Sequence, residues 1–343
     1  MRVLVVAPAW IGDTLLAQPL FARLKKQQSD VLIDALAPPW TAPVLRRMPE
    51  IARVIEAAFN HGDLRLLDRW RLARSLASSA YDRAIVLPNS FKSALIPWFA
   101  GIPKRIGFIG EQRYGALNIL HRLDEAALPL MAERYAKLAE ATDLMPAIPL
   151  ERTSIRVDVD NRSRALHELG LDLDRPVVAF CPGAEFGPSK RWPIRHFIAL
   201  ASALAAQHRR VWLFGGPNDR GITSAIREGA GDTVVDLAGR TDLASAIDLM
   251  SCAGCVVAND SGLMHIAAAL GRPLVALYGS SSPHHTPPLS PAARILALSL
   301  ECSPCYAREC PLGHFRCLED LDPMRVFHAI EESEKIHEQP LSR

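Results

Sequence analysis

The stretch RVLVVAPAWIGDTLLAQ (2–18) decides the fold. Its opening, RVLVVA (2–7), is a continuous apolar run, the pattern of a strand buried on both faces. Pro8 and Gly12 break the run, and TLLAQPLFARLKKQ then repeats apolar residues at helical spacing. A strand, a turn and an amphipathic helix in that order open a parallel sheet covered by helices. The cadence continues through VLIDALAP (31–38), RVIEA (53–57), DRAIVLP (82–88) and KRIGFI (104–109), with Arg- and Leu-rich helical sequence at 64–79.

After residue 150 the pattern restarts. ERTSIRVDVDNRSRALHELGLDLDR reads as a linker strand and a helix, and PVVAFCPG (176–183) repeats the opening strand and loop. RRVWLFGG (209–216), TVVDLAG (233–239), CVVAND (255–260) and PLVALYG (273–279) are further buried strands. The chain has 343 residues, more than one hydrophobic core usually serves. The expectation is an α/β protein of two Rossmann-like doubly wound domains, 1–155 and 156–322, with a helix and tail at 323–343 begun by Asp322-Pro323. Ligands of such sheets sit at the carboxyl ends of strands where strand order reverses, so two of them facing across a cleft predict a site between the domains.

Composition narrows the function classes. Hydrophobic residues make up 49% and charged residues 22%, ordinary for a globular protein. The N-terminus does not read as a signal peptide, and no stretch approaches a membrane span, so the expected location is cytoplasmic. Residues 1–170 carry 23 Lys and Arg against 18 Asp and Glu, whereas residues 171–343 carry 16 against 19. A mildly basic first half suits a phosphorylated glycolipid or the inner face of the cytoplasmic membrane, touched peripherally; scattered surface charge explains it equally. There is no long basic run with interleaved aromatics, which excludes nucleic acid as a partner. Without G-x-G-x-x-G after the first strand, or G-x-x-x-x-G-K-[ST] anywhere, a nicotinamide dehydrogenase and a P-loop NTPase are both disfavoured.

Three segments carry chemistry. In AWIGDTLLAQ (9–18), Asp13 lies where a strand gives way to a helix, placed to accept a proton as a general base; helix capping explains it as well. In CPGAEFGPSKRWP (181–193), a turn-rich loop leads through Ser189, Lys190 and Arg191 into a helix. Exposed N–H groups and a cation there make an anion site able to steady a departing diphosphate. In VVANDSGLMHIAAALGRPLVALYG (256–279), Asp260 and Ser261 end a strand, Gly262 lets backbone approach a ligand, and His265 sits one turn into the next helix. Capping by Asp260 and simple burial of His265 are the plain alternatives. Asp219 in GGPNDRG (215–221) reads either as a nucleoside contact or as a turn. The D-x-D pairs Asp158/Asp160, Asp172/Asp174 and Asp320/Asp322 lie away from strand ends and read as solvated turns rather than metal ligands.

With IGD (11–13), LPNSFKSALIPWFAGIPKRIGF, CPGAEFGPSKRWP, NDSGLMHIAAALGRPLVALYG and SSPHHTPPLS, the chain resembles the lipopolysaccharide heptosyltransferases of glycosyltransferase family 9, from Met1 to about Pro291. The resemblance implies the glycosyltransferase B fold, an ADP-L-glycero-D-manno-heptose donor and a lipopolysaccharide inner-core acceptor already bearing one heptose. It also implies inverting transfer with no required cofactor. By the same resemblance Asp13 matches the base, Lys190 the cation on the donor diphosphate, and Asp260, Ser261, Gly262 and His265 the donor-binding signature, with Ser189 beside Lys190. Asn89, Ser90 and Lys92, and the guanidinium groups of Arg105 and Arg113, are acceptor-side candidates; surface solubility explains them about as well. A heptosyltransferase acting on another core position, a sugar-nucleotide epimerase of the same fold and a non-catalytic sensor remain as rivals.

The departure is ECSPCYARECPLGHFRCLED (301–320). Cys302, Cys305, Cys310 and Cys317, with His314 close by, have the density of a structural zinc site but the unusual spacing C-x2-C-x4-C-x6-C; reduced thiols or a local disulfide are the other readings. Cys252 and Cys255 read as core residues.

Overall fold

The doubly buried apolar runs all become strands, because only a sheet covered on both faces removes such residues from water. The computed structural model describes residues 1–59, 62–140 and 150–338, the last three by their backbone alone. Contacts divide the chain into a unit from Met1 to Thr153 and a second from Ser154 onward.

In the first unit, β1 (Arg2–Val6), β2 (Leu32–Ala37), β3 (Ile51–Glu56), β4 (Arg83–Val86), β5 (Lys104–Phe108) and β6 (Ile119–His121) form one sheet. Between and after them run α1 (Ile11–Leu16), α2 (Gln18–Gln27), α3 (Ala42–Arg46), α4 (Leu66–Ala77), α5 (Phe91–Phe99) and α6 (Met131–Lys137). The second unit opens with α7 (Val159–Leu169). Its sheet holds β7 (Val177–Cys181), β8 (Arg210–Leu213), β9 (Val234–Asp236), β10 (Cys255–Asn259), β11 (Leu274–Tyr278) and β12 (Ala293–Ala297). Its other helices are α8 (Ile194–Ala206), α9 (Arg220–Ala230), α10 (Leu243–Met250), α11 (Gly262–Ala269), α12 (Arg316–Glu319) and α13 (Pro323–Glu338).

Strand order is β3-β2-β1-β4-β5-β6 in one sheet and β12-β11-β10-β7-β8-β9 in the other, with every pair parallel. Counted from the first strand of each unit, the two orders are the same. Each reverses direction next to its first strand: between β1 and β4, and between β7 and β10. The first core gathers Leu4, Val6, Leu36, Val86 and Ile96; the second gathers Val178, Phe180, Trp192, Phe197, Val257 and Ile330. Each such side chain, fully buried, contributes about 1.5–3 kcal/mol.

Three expectations need correction. A single helix through 14–27 is instead two, broken at Ala17, because Pro19 has no N–H to give the Leu15 carbonyl and its ring crowds that turn. No strand forms at 151–158: Ile155 makes one backbone bond, to the Ala269 carbonyl at the end of α11, and no sheet edge is offered there. Two short edge strands, β6 and β12, were not expected from the sequence. Asp322 does cap α13, its carboxylate accepting from Met324 N at 2.7 Å, and that helix packs on β10, β11, β12 and α8 within the second unit. Residues 339–343 of the expected tail lie outside the described residues.

Candidate active site

In the first unit, both loops that leave the switch point carry anticipated residues. Asp13, after β1, is half-buried in the first turn of α1. The N-cap of that helix is Trp10, with no side-chain capping bond, so Asp13 is not the cap. The charge of Asp13 adds to burial in keeping the Tyr135 phenol of α6 protonated, a neighbour 122 residues away that sequence gave no means of finding. Trp10 and Trp40 stand in the loops after β1 and β2, 56% and 45% exposed, with Trp40 Nε1 donating to the Ala9 carbonyl at 2.7 Å. Asn89 and Ser90 follow β4 and Lys92 opens α5; Asn89 is exposed, while Ser90 and Lys92 are half-buried.

Arg113 and Arg105 do not face outward for an acceptor. Arg113 is 1% exposed and donates to the carbonyls of Phe108 (2.7 Å) and Pro88 (2.5 Å) and to Asn89 Oδ1 (3.0 Å). Arg105 donates to the carbonyls of Ala116 (2.7 Å), Ile102 (2.6 Å) and Gly115 (3.1 Å). A guanidinium presents five donors in a rigid fork, which suits it to tying irregular backbone together as well as to binding anions. Arg113 thereby orients Asn89.

The second unit builds a denser arrangement at its switch point. After β7, a 3-10 turn (Pro188–Lys190) delivers Ser189 and Lys190; after β10 come Asp260 and Ser261, the N-cap of α11. Lys190 Nζ donates to Asp260 Oδ2 at 2.5 Å, and Ser281 Oγ, beyond β11, donates to the same oxygen at 2.5 Å. Asn259, fully buried, joins the two strand ends by accepting from Trp192 N (3.1 Å) and donating to the Pro182 carbonyl (2.7 Å). Ser261 Oγ is buried without a hydrogen-bond partner, and no side chain caps the first N–H groups of α11. A helix start left in this state favours an anion.

His265 lies in α11, 5% exposed. Burial presses its imidazole down to about 4, Asp260 opposing the shift and Lys190 adding to it. At neutral pH it is therefore an uncharged hydrogen-bonding group, not a cation for a phosphate. Asp219 accepts from Gly216 N at 2.9 Å, and a Cβ on Gly183 would overlap its carboxylate; it closes a turn and pins the loop after β7. The D-x-D carboxylates cap or pair locally: Asp158 accepts from Asn161 N (2.9 Å), Asp172 and Asp174 pair with Arg210, and Asp320 pairs with Arg316 (2.8 Å).

The cysteine-rich segment belongs to this neighbourhood. Ser189 Oγ donates to the Ala307 carbonyl (2.5 Å), Ser189 N to the Arg308 carbonyl (3.2 Å), and Tyr306 N to the Ser280 carbonyl (2.7 Å). A Cβ on Gly187 would overlap the Arg308 carbonyl, so only glycine permits this approach. The Phe186 ring carries Lys190 Nζ 5.0 Å from its centroid and the Arg308 guanidinium at 5.9 Å. Arg308, Ser280 and Ser281 were not singled out individually, although Ser281 opens the SSPHHTPPLS stretch and Arg308 lies within the cysteine-rich segment. Cys302, Cys305, Cys310 and Cys317, with His314, line one small cavity of about 20 Å³. Backbone N–H groups around Phe315 lower the Cys310 thiol below its usual range. Among the described residues no group of three His, Cys, Asp or Glu side chains is placed to hold a metal ion. Cys255 is fully buried and Cys252 partly so.

A model of glycosyltransferase family 9 (heptosyltransferase) matches residues 69–316. The chain is 43% identical to lipopolysaccharide heptosyltransferase 2 of Escherichia coli (strain K12) over 339 residues, which are 96% of this chain and 97% of that one. It is 44% identical to lipopolysaccharide heptosyltransferase 2 of Salmonella typhimurium (strain LT2), over 339 residues and the same shares. Among solved structures, that of E. coli ADP-heptose lps heptosyltransferase II matches with a TM-score of 0.88 at 42% identity, covering 99% of this chain and 100% of that one. The two parallel six-stranded sheets are those of the glycosyltransferase B fold. With a family model over most of its length and relatives alike along nearly all of it, the chain belongs to glycosyltransferase family 9, the heptosyltransferases.

Proposed function

We propose that the chain transfers L-glycero-D-manno-heptose from ADP-heptose onto the first heptose of the lipopolysaccharide inner core, with inversion. The acceptor is the role of the first unit and the donor that of the second. The observation that carries this is the Lys190–Asp260–Ser281 cluster beside an uncapped helix start, at the switch point of a sheet whose counterpart holds Asp13. The names of relatives 43–44% identical along nearly the whole chain support the acceptor class, and that of the matched E. coli ADP-heptose lps heptosyltransferase II structure supports the donor.

In the reaction, the Asp13 carboxylate takes the proton of an acceptor hydroxyl as that oxygen bonds to the anomeric carbon. The bond from that carbon to the diphosphate oxygen breaks on the opposite face, and ADP leaves with the electron pair. Lys190, Ser261 and the first N–H groups of α11, begun by Gly262, meet the developing charge; Ser189, whose hydroxyl and N–H are spent on the Ala307 and Arg308 carbonyls, braces the loop instead of binding the anion. Asp260 and Ser281 hold Lys190 in place, and neutral His265 supplies a hydrogen bond. Fixed donors facing new negative charge are worth about 3 kcal/mol each in such sites.

Release of ADP from ADP-heptose, measured with core acceptors carrying zero, one or two heptoses, tests the reading. Turnover with the single-heptose acceptor, and little with the others, is expected. Preference for a heptose-free acceptor points to heptosyltransferase I, donor conversion without any acceptor to an epimerase, and donor binding without ADP release to a sensor; each overturns the proposal.

A further inference from the structure

The first two turns of helix α4 are turned inside out, while its second half buries Ala73 and Leu76 in the usual way. Toward the core the helix buries Arg69, Ala73 and Leu76; toward solvent it sends Leu66, Leu67 and Trp70. Together with Leu64 these side chains are 48%, 70%, 50% and 48% exposed in turn, and Leu67 is the most exposed large apolar side chain among the described residues. An ordinary surface helix does the reverse. Its orientation is fixed by Arg69, whose guanidinium donates to the carbonyls of Leu64 (2.7 Å), Asp63 (3.1 Å) and Lys92 (3.2 Å) and lies 4.1 Å from the Phe59 ring centre. The side chain best suited to water is thus locked inward, and the apolar ones are held out.

The charge around the patch is net positive. Residues 62–78 contain four arginines and two aspartates; Asp68 pairs with both Arg65 and Arg71, and Arg74 is exposed. Along α4, Leu67, Trp70, Arg71 and Arg74 recur at the spacing of one helix face. Helix α5, packed beside α4, adds exposed Phe91 and Trp98. Leucine and tryptophan interleaved with arginine on one exposed face is the make-up of a helix that lies in a bilayer interface, ring and alkyl groups among the acyl chains and guanidinium groups at phosphate level. We infer that the outer face of α4, centred on Leu67, Trp70, Arg71 and Arg74, docks the enzyme on an anionic phospholipid membrane. A lipid-anchored acceptor, as proposed above, would be met at that surface. No helix of the described residues is long and apolar enough to cross a membrane, so attachment by this face is at the surface.

Co-sedimentation of the full chain with vesicles of phosphatidylglycerol and phosphatidylethanolamine, without donor or acceptor, tests the surface alone. The wild type is expected to pellet with these vesicles at low salt and to stay behind with phosphatidylcholine. L67E/W70E should lower the bound fraction about tenfold or more, and R71E/R74E should lower it about tenfold while flattening its salt dependence. Turnover on a delipidated core oligosaccharide should be unchanged in L67E/W70E, which shows that the variant is folded. A wild type that ignores anionic vesicles, or an L67E/W70E variant that pellets like it, overturns the inference. So does a concentration-dependent dimer that L67E/W70E dissolves, which would give the face to a second copy of the chain. Should the sugar assays fail while vesicle binding behaves as stated, the reaction assigned above falls and the docking surface stands.

Discussion

The two units share a strand order and differ in what stands at its point of reversal. In the second unit, Ser189, Asn259, Asp260, His265, Ser280, Ser281 and Ser282 are all buried and mostly bonded to one another across the ends of β7, β10 and β11. In the first unit the corresponding loops offer half-buried Asp13, exposed Asn89 and the exposed rings of Trp10 and Trp40. The lesson is one of preorganisation. The proposed diphosphate role asks for dipoles fixed before charge develops, and the buried, cross-braced cluster of the second unit has them. A sugar hydroxyl needs one base and a broad surface, and an open loop with aromatic rings suits that.

The harshest way to break this contrast is at Asp13. Asp13→Ala should lower kcat by about 10²–10⁴, the usual worth of a general base, while the donor Kd, measured by calorimetry with ADP-heptose, stays near wild type. Near-normal turnover would remove Asp13 from the reaction. A rise in donor Kd of the same size would show that the first unit shares in donor binding, and the division of labour would fail.

Next in size is Lys190. Lys190→Ala should lower kcat/KM by about 10²–10³, with donor binding and turnover weakened together, whereas Asp13→Ala spares donor binding. Asp260→Ala leaves the Lys190 ammonium, 18% exposed, without its carboxylate. It should cost roughly 1–3 kcal/mol in denaturant titrations. The double variant should lose less than the sum of the singles; full additivity would mean that Asp260 does not position Lys190.

How much of this was legible depends on whether a residue's environment is local. The central strands are legible because burial on both faces forces unbroken apolar runs such as RVLVV and CVVAN. The edge strands β6 and β12 are not, since ILH is three residues long and ARILA is nowhere fully buried. Asp13, Lys190 and Asp260 were legible as strand-end residues. Their partners were not: Ser281 is 21 residues from Asp260, Asp260 is 70 from Lys190, and Arg308 is 118 or more from the serine and lysine it adjoins. Arg105 and Arg113 were misjudged because sequence shows a charge without showing that irregular backbone would enclose it. The cysteine spacing gave no sign that the segment's carbonyls would brace Ser189.

His265 sharpens the contrast through pH. Its folded value of about 4 lies below the usual imidazole value of about 6.5. Between these values the unfolded chain binds more protons, so stability attributable to His265 is present above about pH 6.5 and fades as pH falls toward 4. The effect is on the order of 3 kcal/mol. His265→Gln should flatten the fall in Tm over that window. An unchanged slope would mean that the imidazole is not held neutral by burial, and the dry, preorganised character of the second site would be in question.

The smallest effect concerns Arg308, the cation that the sequence did not disclose. Its guanidinium is exposed and shares the Phe186 ring with Lys190; under the proposed donor site it would add attraction for the diphosphate in ground and transition states alike. Arg308→Ala should therefore raise donor Kd about fivefold and leave kcat near wild type. Because the group faces water, the effect should shrink as salt rises. The backbone role of the same residue, its carbonyl accepting from Ser189 N, survives the substitution. If low-salt Kd does not move, the cysteine-rich segment contributes to the donor site through main-chain bracing alone, and Gly187→Ala, which drives a methyl group against that carbonyl, becomes the variant that must disturb Lys190.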